Sequence, residues 1–401
     1  MLTQKQPVDF LKDFLSSNKI NRFIYIRPRN YVLTTKLHLA YLCTSRGWGG
    51  LEMNHLRNAL WMKARGHEIT IICTRSSPLE KEALNAHLSV ISIRKPARHY
   101  AFFSAWMIFL KLKNLGVQNV MIRNTSDISL AASISFFSFK RIHIHFFMEL
   151  MFHEKKQQLY RTIRYSFLSS WVCSLEYMRK KVLSDTRINP KTVCVIPSAL
   201  DFSQIMSVSK TDTRKQLNLP ENKVIFGMIG RIDRKKRIEL AILALHQLQS
   251  TDYQLLIVGE ETPDSPDSYL SELKQLIQEK NLENQVHFCG FHAETSPYYH
   301  AIDALIMASD FETFGMSTIE ALAHNTPVIA TNSGGSQELL NLFPFGILVG
   351  PGNPSSFSSA MRRILEIDAD KFETKAFHGY FDHQRICEMI ESRILSCESV
   401  R

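Results

Sequence analysis

Two glutamates eight positions apart, Glu312 and Glu320, flank a Phe-Gly step in "FETFGMSTIEALAHNTPVIATNSGG" (residues 311–335). On one continuous helix their carboxylates would stand ~12 Å apart along the axis and about 80° apart around it. Gly315 and the strand-like "ALIMAS" before it argue for a different arrangement, in which "DFETFG" is a loop and "MSTIEALAH" begins a helix. Glu312 then hangs from the loop, Glu320 sits just inside the helix, and the amides of Gly315, Met316, Ser317 and Thr318 lie between them as first-turn donors. Such a helix start attracts anions, and a glycine lets a phosphate approach the backbone closely. The layout suits a ligand with a sugar at one end, phosphate in the middle and a second hydroxylated ring beyond. Taken by itself, the segment is better read as a pair of surface glutamates near a helix start.

A second cluster strengthens the first reading. "GRIDRKKR" (230–237) follows an apolar strand and places Gly230, Arg231 and Lys236 at another strand-to-helix turn. Two fixed cations there are suited to neutralising a diphosphate leaving group. Cations at a helix start oppose the helix dipole, so their presence favours an anionic ligand over plain surface.

The elements that must position these residues form two series. In the first half, "KLHLAYLC", "HEITIICT", "LSVISI", "NVMIR", "RIHIHFF" and "SSWVCSL" read as strands separated by helical stretches such as "LEMNHLRNALWMKAR". After a polar joint, "SVSKTDTRKQLNLPENK" (207–223), "VIFGMIG", "YQLLIVG", "QVHFCG", "ALIMAS", "PVIAT" and "GILVG" repeat the pattern. Strands alternating with helices imply α/β architecture with doubly wound parallel sheets. The expected units are an N-terminal domain over 1–206, a C-terminal domain over 207–375 and a helical tail over 376–401 that returns to the first domain. Ligands of open α/β sheets bind beyond the carboxyl ends of the strands, so the cleft between the domains is the expected site.

The ordered motifs resemble the retaining nucleotide-sugar glycosyltransferases of the GT-B fold, family four (glycosyl transferases group 1). The resemblance rests on the Glu312 and Glu320 segment and on the turn carrying Arg231 and Lys236. It rests further on "VGEE" (258–261), "VHFCGF" (286–291), "GGSQELL" (334–340), "VIPSALD" (195–201) and "GWGGLEMNHLRNALWMKARGHEITIIC" in the first half. It implies two Rossmann-like domains facing a central cleft. It implies a UDP-, GDP- or ADP-sugar as donor, with no metal or other cofactor. By resemblance, Arg231 and Lys236 bind the diphosphate, Glu312 contacts the transferred sugar, the amides of 315–318 hold the distal phosphate and Glu320 accepts from the ribose. Gly230 belongs to the same turn, and Gly49 and Gly50 lie opposite, where a side chain would collide with the phosphates.

The sequence also departs from that family. After the fourth strand, where the family often has a histidine, "NVMIRNTSD" offers Arg123 and Asn124; Glu261 and Arg237 stand where many members have glycine. Acceptor-side candidates are therefore Arg123 and Glu149, with His143, His145 and His153 nearby. The acceptor implied is a hydroxyl of a cell-envelope glycan or glycolipid. An epimerase of the same fold and a non-catalytic glycan- or lipid-binding scaffold are the alternatives.

Charge separates the halves. Residues 1–200 carry 30 Lys and Arg against 11 Asp and Glu, and residues 201–401 carry 18 against 27. A first half of +19 expects an anionic partner, such as a membrane surface. No nucleic-acid-binding motif is visible. "IRKPARHYAFFSAWMIFLKLKN" (93–114) sets Arg94, Lys95 and Arg98 before an aromatic run closed by Lys111 and Lys113; it is suited to a membrane interface or to packing on the sheet. The seven cysteines show no C-x-x-C pair, "MLTQKQPVDFLKDFLSSNK" has no signal-peptide block, and no apolar run reaches the ~18 residues of a membrane span. These features expect a cytoplasmic protein, at most peripheral on the inner face of the plasma membrane.

Overall fold

The computed structural model of the chain describes residues 36–94, 101–152, 154–205, 208–261, 268–369 and 372–398. Lys95, Arg98 and His153 lie outside the described residues.

Two parallel sheets organise the chain. The first contains β1 (His38–Cys43), β2 (Glu68–Thr74), β3 (Ser89–Ile93), β4 (Asn119–Ile122), β5 (His143–Met148), β6 (Ser170–Cys173) and β7 (Val193–Val195), in the order β3-β2-β1-β4-β5-β6-β7. The second contains β8 (Val224–Ile229), β9 (Tyr253–Val258), β10 (Val286–Gly290), β11 (Ala304–Met307), β12 (Val328–Thr331) and β13 (Gly346–Val349), in the order β10-β9-β8-β11-β12-β13. β7 is a three-residue strand that periodicity does not reveal. Strand order reverses between β1 and β4 and again between β8 and β11. At such a switch point successive connections leave on opposite faces of the sheet and open a crevice at the strand ends.

Alternation along β1 shows how the first sheet is covered. Leu39, Tyr41 and Cys43 pack with Leu56, Ala59 and Met62 of the helix Gly50–Ala64 and with Ile386, Ile390 and Ile394 of the C-terminal helix His383–Glu398. Ala40 and Leu42 face the other way, onto Ala105, Ile108 and Leu112 of the helix Phe102–Asn114 and Ile134 of the helix Ile128–Phe137. Both faces are dry, which is why these strands read as continuous apolar runs.

The C-terminal helix thus completes the core of the first domain. Leu200 and the segment before this helix exchange backbone hydrogen bonds, Leu200 N to Phe381 O (2.9 Å) and His383 N to Leu200 O (3.0 Å). Glu391, buried in the helix, accepts from Arg65 Nε (2.6 Å) and Nη2 (2.8 Å) and lies 2.9 Å from His67 Nε2. Burial works against the Glu391 carboxylate, but the hydrogen bonds from His67 and Arg65 outweigh it and hold its pKa below the ordinary value. The polar joint is also structured. Its helix Lys210–Gln216 buries Arg214, which donates to Ala301 O (2.9 Å) and to Asp303 (2.6 Å) of the second domain.

Candidate active site

Glu312 leaves the end of β11 at the switch point of the second sheet. Lys236 Nζ donates to Glu312 Oε2 at 2.8 Å, and Ser309 Oγ lies 3.3 Å from the same oxygen. Lys236 comes from the turn after β8, next to Gly230 and an exposed Arg231. A pocket of about 300 Å³ between the ends of β8, β9 and β11 is lined by Gly230, Arg231, Lys236, Met307 and Ser309.

Three glycine turns fix this geometry. Gly230 (φ +146°) donates its amide to Val258 O (2.9 Å), while a Cβ on Gly259 (φ +142°) would stand 2.0 Å from Gly230 O. The two turns touch backbone to backbone, which only glycine allows. The same device holds the Glu312 loop. Gly335 N donates to Glu312 O (2.7 Å), and Cβ atoms on Gly334 and Gly335 would meet Glu312 O at 2.3 Å and Phe314 O at 2.5 Å. The glycine pair in "GGSQELL" is therefore a seat for the loop that carries Glu312.

Gly315 adopts the left-handed conformation (φ +88°) at the start of the helix Met316–Ala323 and offers no side-chain cap. The first turn lies against the end of β8, where Ser317 Oγ donates to Ile229 O (2.9 Å). Thr318 is buried, and its Oγ1 has no hydrogen-bond partner among the described residues. An uncapped helix start with an unused hydroxyl is chemically suited to a phosphate group. Glu320 is half-buried and accepts from Tyr299 Oη (2.8 Å). Desolvation raises its pKa, opposed by the Tyr299 hydrogen bond and by the positive charge of Arg57 from the first domain.

Across the cleft, Gly49 (φ −156°) precedes the helix Gly50–Ala64, and its amide donates to Glu52 Oε2 (3.0 Å). A Cβ on Gly50 would meet nothing within 4 Å. The protein itself gives no steric reason for glycine there. At the end of β4, the Arg123 guanidinium pairs with Glu149, and Asn54 Nδ2 lies 3.4 Å from the other Glu149 oxygen. Arg123 also stands over the Phe147 ring at 4.9 Å. It lines a pocket of about 390 Å³ with Asn54, Asn58, Trp61, Ser174 and Ser198.

His143 and His145 belong to the core. His145 lies 2.7 Å from Ser170 Oγ and 3.0 Å from Asn119 Oδ1, and desolvation lowers its pKa to about 3. His143 pairs with Ser169 Oγ at 3.0 Å. Neither faces the pocket beside Arg123.

Two residues that pattern reading passed over join the domains at the site. Glu338 accepts from the amides of Glu176 and Tyr177, both at 2.8 Å, so a carboxylate of the second domain caps the first-domain helix Glu176–Asp185. Tyr177 Oη donates to Thr313 O and lies 3.3 Å from Glu312 O. Glu338 lies inside the quoted "GGSQELL", but its partners are 161 and 162 residues away in sequence, so only the fold reveals them. Arg237 explains one departure from pattern: it takes the left-handed conformation (φ +52°) that favours glycine, held by ion pairs to Glu239 (2.6 Å) and Asp310 (2.8 Å).

A family model described as glycosyl transferases group 1 matches residues 209–377. The N-acetylgalactosamine-N,N'-diacetylbacillosaminyl-diphospho-undecaprenol 4-alpha-N-acetylgalactosaminyltransferase of Campylobacter jejuni is 32% identical over 204 residues, covering 50% of this chain and 52% of that protein. Mannosylfructose-phosphate synthase of Agrobacterium fabrum is 27% identical over 196 residues, covering 47% and 43%. The chain thus spans about half the length of the curated relatives it matches. The crystal structure of Anabaena HepE in complex with UDP superposes with a TM-score of 0.77 over 90% of this chain and 100% of that one, at 19% identity. Residues 209–377 are thus similar to glycosyl transferases group 1, and the two facing Rossmann-like domains have the GT-B fold.

Proposed function

We propose that this protein transfers a sugar from a nucleoside diphosphate sugar to a hydroxyl of a cell-envelope glycan or glycolipid, with retention of anomeric configuration. The observation that carries the reading is the Lys236–Glu312 pair at 2.8 Å, set between the open start of the helix Met316–Ala323 and the turn carrying Arg231. Lys236 and Arg231 bind the diphosphate, the amides of Gly315, Met316, Ser317 and Thr318 take the distal phosphate, and Glu320 takes the ribose. Glu312 turns to the hydroxyls of the transferred sugar and stabilises developing positive charge at its anomeric carbon. The bond from that carbon to the phosphate oxygen breaks, the acceptor oxygen bonds on the same face, and the acceptor proton passes to the leaving phosphate oxygen. No side-chain nucleophile is required, so catalysis rests on positioning and fixed charge. Arg123 and Glu149 face the acceptor. UDP in the HepE crystals and the undecaprenol-linked acceptor in the Campylobacter enzyme's name support the donor and acceptor classes.

A thermal-shift panel of UDP-, GDP- and ADP-sugars, followed by NMR of the product anomer, tests the reading. A donor at 100-fold its Kd adds about 2.7 kcal/mol to stability. Stabilisation by one nucleotide class, acceptor-dependent release of the nucleoside diphosphate and an anomer matching the donor are expected. No stabilisation by any of the three, or conversion of the donor to an isomer without acceptor, would overturn it.

A further inference from the structure

The first domain carries an apolar surface that its own core does not use. In the helix Phe102–Asn114, Ala105, Ile108 and Leu112 pack on the sheet, while Phe103, Trp106, Met107 and Leu110 recur at helical spacing on the outside. Phe103 is 78% exposed. The neighbouring helix Ile128–Phe137 ends in an exposed Phe136, and Phe139 follows in a left-handed turn (φ +53°) with 89% of its surface in solvent. The short helix Leu159–Tyr165 adds exposed Leu159, Tyr160 and Ile163. Ring contacts join these helices into one belt: Trp106 to Phe137 (5.3 Å), Phe137 to Phe136 (5.6 Å) and Phe136 to Phe167 (6.0 Å). Contiguous exposed patches of this kind mark an interaction surface.

Charge identifies the partner. Between residues 101 and 148 the only acidic residue is Asp127, which is buried and bound to Thr44. Exposed Lys111, Lys113, Lys140 and Arg141 border the aromatic residues. Lys140 stands 5.1 Å over the Phe167 ring, and Arg164 stands 5.1 Å over Tyr160. Aromatic residues bordered by these cations match an anionic headgroup layer over acyl chains. None of the described helices is long and apolar enough to cross a membrane.

We infer that this three-helix face docks on an anionic lipid bilayer, with Phe103, Trp106, Phe136 and Phe139 in the boundary between headgroups and acyl chains. The inference deepens the glycolipid reading by naming the face that meets the lipid, but its test requires no turnover. The full-length protein is sedimented with phosphatidylcholine vesicles that contain or lack phosphatidylglycerol. Binding to the anionic vesicles, weakened but not abolished by salt, is expected. The double substitution Phe103→Ser and Phe139→Ser removes two solvent-exposed rings and should lower partitioning by roughly tenfold or more. Lys111→Gln and Lys113→Gln should each lower it about fivefold. The serine variant should keep the wild-type melting temperature and its donor-induced shift, which separates loss of lipid binding from failure of the transferase reading. Equal binding to both vesicle types, unchanged binding of the serine variant, or a lipid-free dimer that protects these helices from deuterium exchange would overturn the inference.

Discussion

The two sides of the cleft hold their polar groups by different means. On the C-terminal side the turns touch through backbone: Gly259 against Gly230, Gly334 and Gly335 against the carbonyls of Glu312 and Phe314. On the N-terminal side Arg123, Glu149 and Asn54 hold one another through side chains. Backbone contact fixes position to within a few tenths of an ångström and leaves no room for substitution. A side-chain network can be exchanged without disturbing the strands beneath it. The difference suits a site in which donor phosphates demand one geometry while acceptor contacts are free to vary.

Breaking the backbone seat should have the largest effect. In Gly259→Ala the new Cβ meets Gly230 O at 2.0 Å in a conformation that L-residues rarely adopt. A loss of more than ~3 kcal/mol is expected, read from the urea midpoint, together with loss of donor binding. Lys236→Ala leaves the fold intact and should lower turnover about 100-fold or more, equivalent to ~3 kcal/mol in the transition state. Near-normal turnover would remove Lys236 from the diphosphate site. On the other side, Arg123→Ala leaves the poorly exposed Glu149 carboxylate without its cation and should cost about 2 kcal/mol in stability. It should spare the donor-induced thermal shift, so a lost shift would place Arg123 on the donor side.

Two smaller effects sharpen the comparison. Gly50→Ala meets open space near the helix start, so the free protein should be unchanged or stabilised by up to ~1 kcal/mol. On the proposed donor assignment, donor binding should nevertheless weaken, because the methyl would occupy the side assigned to the phosphates. Unaltered donor affinity would place the phosphates elsewhere. The smallest effect concerns Glu320, whose folded-state pKa lies above its ordinary value. Below about pH 4.5 the carboxyl is protonated in both folded and unfolded chains and carries no penalty. As pH rises through the unfolded value toward the folded one, the unfolded chain ionises first and stability falls. Glu320→Gln should therefore melt slightly above the parent at neutral pH, with the advantage vanishing on acidification. It should also weaken donor binding, whereas Glu312→Gln should lower the maximal rate; the reverse kinetic pattern would exchange their roles.

Twelve of the thirteen strands among the described residues were legible as apolar runs, because parallel strands buried on both faces need continuous apolar sequence. β7 was not, since three residues carry no period. Glu312, Lys236, Arg231 and Gly315 were legible because each sits at a strand end or helix start that the local pattern marks. The capping role of Glu338 was not, because a carboxylate that caps a helix in another domain leaves no signature near its own position. The helix Phe102–Asn114 was legible only as two alternatives, a membrane interface or a face packed on the sheet. A helix apolar on two faces serves either reading, and only the neighbouring elements show which face stays in solvent.

By itself, then, the sequence determined which segments form strands and helices, where the cations and carboxylates enter turns, and that the two halves differ in charge, because these depend on spacing along one chain. The tertiary structure alone decided that Lys236 pairs with Glu312, that Gly334 and Gly335 seat the loop, that His143 and His145 are core residues, and that Tyr177 and Glu338 link the domains. Each of these depends on the meeting of elements tens to hundreds of residues apart, which the packing of sheets and helices fixes and local pattern does not carry.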